Sequence, residues 1–198
     1  MRKTVSILAI ALLTLTAMSC KDGKKGDAAE PMSNEMHQED GDNQGDSEKM
    51  MTNNSNKSAS DAIIDNYLKI KNALVADNQE KAAEAGGDIV GDLNDFDKSS
   101  YSSEEQQELT DIIEDAKEHA EHISENAMEH QREHFDILSK DVIDMIAITG
   151  TGKKLYQDFC PMYNDNQGAA WLSTTKEIKN PYFGSKMMGC GEVQKEIN

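Results

Sequence analysis

The chain has 198 residues, 37 acidic against 20 basic, a formal charge of −17 and only 5% aromatic residues. So acidic a surface excludes nucleic acid and anionic lipid headgroups as docking partners, and suits cations or cationic proteins. With so few aromatics the core has to be mostly aliphatic.

The first nineteen residues read as an export leader. Arg2 and Lys3 precede a run, Val5 to Ala17, that is apolar apart from Ser6, Thr14 and Thr16. Small residues follow, a pattern of processing rather than of a folded helix. The run is short for a membrane span, which needs about 20 apolar residues. Ala17-Met18-Ser19-Cys20 is similar to a lipobox, with Ala17 where leucine is usual. Residues 1–19 are therefore assigned as a lipoprotein signal peptide and Cys20 as the lipidation site; an ordinary secretory signal with an incidental Cys is the competing reading. Stable anchoring takes about two acyl chains or more. The expected location is extracytoplasmic, in the cell envelope and lipid-anchored to a membrane, the outer ahead of the inner.

Residues 20–59 read as the lipidated Cys and a flexible acidic tether. Their Gly, Ser, Asn, Asp, Glu and Lys cannot bury enough surface to offset chain entropy. Met32, Met36, His37, Met50 and Met51 lie in it. Such side chains can sample soft metals, although chance Met in an acidic tail is the plainer reading.

Residues 60–198 read as the folded domain. Ile63, Tyr67, Ile70 and Leu74 recur at helical spacing from near Ser60, with Ile64 and Leu68 beside them. Asp77 and Glu80 have capping-box spacing. Ala82, Ala85, Ile89, Leu93 and Phe96 mark a second helix. Its Gly86, Gly87 and Gly91 each cost about 1 kcal/mol relative to Ala and suit close helix contact. Ser102 and Glu105 make another capping box before a third helix carrying Leu109, Ile112, Ile113, Ala116, Ala120 and Ile123. A fourth carries Phe135, Leu138, Val142, Met145 and Ile146, after a soft break at Ser124 to Asn126. Gly150 and Gly152 end it. The expected fold is mainly α, an antiparallel four-helix bundle. From Leu155 to Ile197, Pro, Gly and three of the five Tyr point to an irregular or short-stranded cap, anchored by Trp171 and Phe183.

The cap holds the two remaining Cys, in Cys160-Pro161-Met162 and Met187-Met188-Gly189-Cys190-Gly191. Extended chain has a side-chain period of two, so Cys160 would share a face with Met162, and Cys190 with Met188. Antiparallel segments would then bring two thiols and one or two thioethers together, a set that selects Cu(I). A structural disulfide is the alternative in an oxidising compartment. His119 and His122 stand three apart, and His130 and His134 four apart, each pair able to face one ligand. A solvated helix face is the simpler reading, with His134 nearest the core edge.

Two motif fragments do not carry the activities their patterns suggest, and a third motif is absent. His130-Gln131-Arg132-Glu133-His134 matches H-x-x-E-H, but a helical domain of this size is a poor protease host. Gly150-Thr151-Gly152-Lys153-Lys154 lacks the first Gly and the Ser or Thr of a phosphate loop, so it is a helix-ending turn. No Glu precedes a His by three residues, as a di-iron bundle requires. No nucleophile–base pair stands out, and a non-enzyme is expected.

Cys160-Pro161-Met162, Trp171-Leu172-Ser173, Glu177-Ile178, Asn180-Pro181-Tyr182-Phe183-Gly184, Met187 and Cys190-Gly191 resemble domain-of-unknown-function (DUF) family 3347. Tyr67-Leu68, Ala73-Leu74, Gln131-Arg132 through Phe135 and Leu138-Ser139 resemble its helical part. The resemblance spans roughly residues 60–197. It implies bacterial extracytoplasmic proteins, some of them lipoproteins and others fused to copper and silver efflux adaptors, with no established activity. By position the family's Met falls on Met187. The expected metal set is thus Cys160, Cys190 and Met187, with Met162 or His134 assisting. Copper(I) is the favoured ion, for buffering or delivery to an efflux adaptor or another envelope protein. The alternative is a non-catalytic interaction module closed by a Cys160–Cys190 disulfide.

Overall fold

A computed structural model describes the backbone of residues 45–198 and the side chains of residues 60–198. The expected leader, Cys20 and the expected tether as far as residue 44 lie outside the described residues, as do the side chains of Met50 and Met51. The fold is mainly helical: α1 (Gly45–Val75), α2 (Gln79–Asn94), α3 (Ser103–Glu125) and α4 (Met128–Thr149). Three strands follow, β1 (Leu155–Cys160), β2 (Ala169–Ser173) and β3 (Glu192–Ile197), in a small antiparallel sheet of order β2-β1-β3. No helix among the described residues is long and apolar enough to cross a membrane.

The helix α1 starts fifteen residues before the expected boundary at residue 60. Glu48, Lys49, Met50 and Met51 are good helix formers, a property that a burial argument from composition does not weigh. The N-terminus of α2 also differs from expectation by one position. Asn78, not Asp77, is its cap, with Oδ1 accepting from the Lys81 N–H at 3.0 Å. Asp77 adopts φ 53° and turns away to bind Arg132 of α4 and the Ser185 N–H. At α3 the expected capping box is present: the Glu105 N–H reaches Ser102 Oγ and the Ser102 N–H reaches Glu105 Oε2.

Consecutive helices pack on one another, and α1 also meets α4. At Gly86 a Cβ would stand 3.0 Å from the Ala120 carbonyl and 3.1 Å from the Ser124 nitrogen, so this Gly lets α2 approach α3. Gly87 and Gly91 face open space. The link between α3 and α4 is two residues long. Gln131, fully buried, secures it by donating from Nε2 to the Ile123 carbonyl at 2.9 Å and to the Gln79 carbonyl at 3.1 Å. Gly150, at φ 69°, ends α4. The Gly-Thr-Gly turn after it receives Asp61 of α1, whose Oδ1 accepts from Thr151 Oγ1 and the Gly152 N–H.

Tyr67 ties the sheet to the helices. Its ring stacks on Phe135, its hydroxyl hydrogen-bonds Ser139 Oγ at 2.8 Å, and it accepts from the Leu172 N–H of β2 at 3.0 Å. Trp171 is fully buried beneath the cap, while Phe183 is only partly buried, edge-on to Tyr163. Tyr182 fills the space between them, its hydroxyl donating to the Ala170 carbonyl.

Candidate metal centre

β1 pairs antiparallel with β3, with Phe159 opposite Glu192. Just beyond this pairing, the Cys160 and Cys190 thiols lie close enough to interact, unjoined. Cys160 closes β1 and is fully buried; Cys190 is half-buried. Asn180, itself fully buried, holds the second segment in place. It donates from Nδ2 to the Cys190 carbonyl at 2.7 Å and accepts at Oδ1 from the Tyr182 and Phe183 N–H groups. Gly191, at φ 140°, lets the chain press against Trp171: a Cβ there would stand 2.8 Å from the ring and 2.9 Å from the Phe159 carbonyl. Burial, then the contact with Cys160, pushes the Cys190 thiol up to about 11, while the Met162 backbone N–H favours the thiolate.

The methionines sit on turns rather than strands. Met162 lies just past β1, and the Cys190 N–H donates to the Met187 carbonyl at 3.1 Å, closing a turn ahead of β3. Strand alternation therefore does not govern which thioether meets the thiols. Met162, Met187 and Met188 are exposed. Met162 also borders a surface cleft of about 700 Å³ shared with Arg132, Tyr163 and Lys186.

His134 has other company. Its Nδ1 is 2.8 Å from Nδ1 of His119 and its Nε2 is 3.0 Å from Nε2 of His130. The His122 ring stacks flat on it, 4.2 Å between centroids. Both nitrogens of His134 are thus engaged by histidines, leaving none for the cap. Burial, then His122, His119 and His130, lowers the His134 pKa to about 4. Burial lowers that of His119. Sequence reasoning treated the two His pairs as separate faces of separate helices. The available signal was their near-equal distance from the α3–α4 link, since an antiparallel hairpin aligns residues equidistant from its turn.

A family model described as Protein of unknown function (DUF3347) matches residues 63–154. The match covers a little under half of the chain, and over this segment the sequence is similar to that family. The DUF3347 segment takes in the rest of α1 from Ile63, α2, α3, α4 and all four of these histidines. It ends before β1, so Cys160, Met162, Met187, Cys190 and the motif around them lie beyond it, whereas the resemblance in the sequence extended to residue 197. No curated protein and no solved structure matches the chain.

Proposed function

We propose that the mature chain is a lipid-anchored extracytoplasmic protein that binds a soft metal ion, Cu(I) first, and buffers it or hands it to an efflux partner. In this reading the four helices form an antiparallel bundle that carries the sheet, and the sheet carries the site. The observation that supports it is the proximity of two unjoined thiols, one at the end of β1 and the other on the segment that leads into the antiparallel β3 and is held by Asn180 and Gly191. Thiolate and thioether ligands select Cu(I). Met187 and Met162, exposed and within three residues of a thiol, supply the thioethers. His134 is not needed. Because Cys190 holds its proton to about pH 11, metal has to displace it, and binding weakens as pH falls.

Competitive titration of the mature protein with Cu(I) against a chromophoric chelator tests this. We expect one equivalent bound, and a loss of at least about 100-fold in affinity in Cys160→Ser, a ligand counting for more than the 10–100-fold of an outer-shell partner. Equal, weak binding by both proteins contradicts it. The same thiol contact favours a second reading, a structural module closed by a permanent disulfide. Intact mass after alkylation separates the two: native thiols blocked and resistant to mild reductant support the disulfide.

A further inference from the structure

The hairpin of α3 and α4 carries a second constellation that the thiol reading does not use. His122, His130 and His134 each offer a ring nitrogen, and the three lie within 4.8 Å of one another. Two of them, on His130 and His134, are 3.0 Å apart. Nitrogens sharing one ion at bonds of about 2.0–2.1 Å stand about 3–3.4 Å apart, so this spacing already matches a shared ion. His122 lies flat on His134. One of the two rings turns to bring its nitrogen to the ion, a local change for side chains that are only partly buried.

Behind this triad stands an orienting chain. The second nitrogen of His134, Nδ1, meets His119, whose Nε2 is 3.9 Å from Asp115 Oδ1. The His119 side chain is only 12% exposed. Asp141 completes this second group, its ligand atom within 4.8 Å of those of His119 and Asp115. Asp141 is 9% exposed, and its Oδ2 is buried without a hydrogen-bond partner. Metal-ligating histidines commonly donate their second ring N–H to a fixed acceptor, which sets the tautomer, and His119 Nδ1 stands where such an acceptor would. With the proton of His134 on Nδ1 and that of His119 on Nε2, His134 Nε2 presents its lone pair to the ion.

The geometry points to a binding site for one borderline divalent transition-metal ion, held by His122, His130 and His134, with His119 as a positioning residue. Imidazole suits Zn(II), Ni(II) and Cu(II), whereas the thiols of the cap suit Cu(I). The site shares no ligand with the cap and lies wholly inside the DUF3347 segment. The acidic surface raises the local concentration of cations around it.

The test is Zn(II) titration of the mature protein carrying Cys160→Ser and Cys190→Ser, so that it stands apart from the thiol site. We expect one equivalent bound in that background. His130→Gln and His122→Gln should each weaken binding at least about 50-fold. His119→Gln should weaken it about 10-fold while keeping the stoichiometry, as an outer-shell partner does. Substituting Co(II) gives a second readout, a visible spectrum that shifts in His119→Gln and is lost in His130→Gln. His130 is exposed, so its variant should keep the native helical content by circular dichroism. Zinc affinity unchanged by His122→Gln and His130→Gln overturns the proposal, as does zinc binding that vanishes with the two Cys substitutions alone.

Discussion

Asp158 is fully buried in β1, and neither of its carboxylate oxygens has a hydrogen-bond partner. Burial pushes its pKa up to about 7, and Lys71 of α1 opposes that shift. Lys71 is itself buried, which pulls its own pKa down. An unfolded Asp titrates near 3.9, so the folded chain holds this proton more tightly. The contribution to stability is full below about pH 4 and is lost as pH rises through about 7. Urea midpoints should therefore fall between pH 5 and pH 8, and Asp158→Asn should flatten that fall. Asp141, also pushed up to about 7 by burial, keeps part of it. An identical pH profile in the variant contradicts this account. None of this was legible in the sequence. Alternation puts Asp158 on one strand face with Tyr156 and Cys160, but no pattern says that a carboxylate there turns inward. By contrast Tyr67, with apolar neighbours at helical spacing, announced itself as core.

The long helices were legible because each keeps an aliphatic stripe at the 3.6 period. The cap of α2 was not, because Asp77 and Asn78 are both good caps, and Arg132 and Ser185, remote in sequence, decide between them. The glycines of α2 show the same limit. Three look alike in sequence, yet only Gly86 faces a neighbouring backbone. Gly87→Ala should raise stability by about 0.5–1 kcal/mol through helix propensity. Gly86→Ala should lower it by about 1–3 kcal/mol through overpacking against Ala120 and Ser124. Chemical denaturation of both variants decides; equal gains would mean that α2 and α3 do not approach as closely as described. The histidine constellation belongs to this scale too. It comes from the pairing of two helices, and a reading of single-helix faces does not contain it.

At the scale of the whole molecule, the leader and the cap make independent claims. Cys20→Ser should move the protein from the membrane fraction to the soluble envelope fraction, with the 60–198 domain still folded; retention in the membrane would remove the lipid anchor from the account. Assigning Cys20 to lipid leaves Cys160 and Cys190 as the pair, and the fold brings their thiols close enough to interact. Their convergence was foreseeable as a condition, that the two segments run antiparallel. The turn at Met187 to Cys190 was not, because it depends on Asn180 and Gly191. The histidine site proposed on α3 and α4 would compete for copper in the divalent state. The most direct measurement is therefore X-ray absorption at the copper edge on the mature protein loaded with one equivalent of Cu(I) under reducing conditions. The copper should show a coordination sphere dominated by sulfur, with at least two sulfur neighbours, and Cys160→Ser should lower that sulfur count. A shell of nitrogen alone would place Cu(I) on the histidines and contradict it.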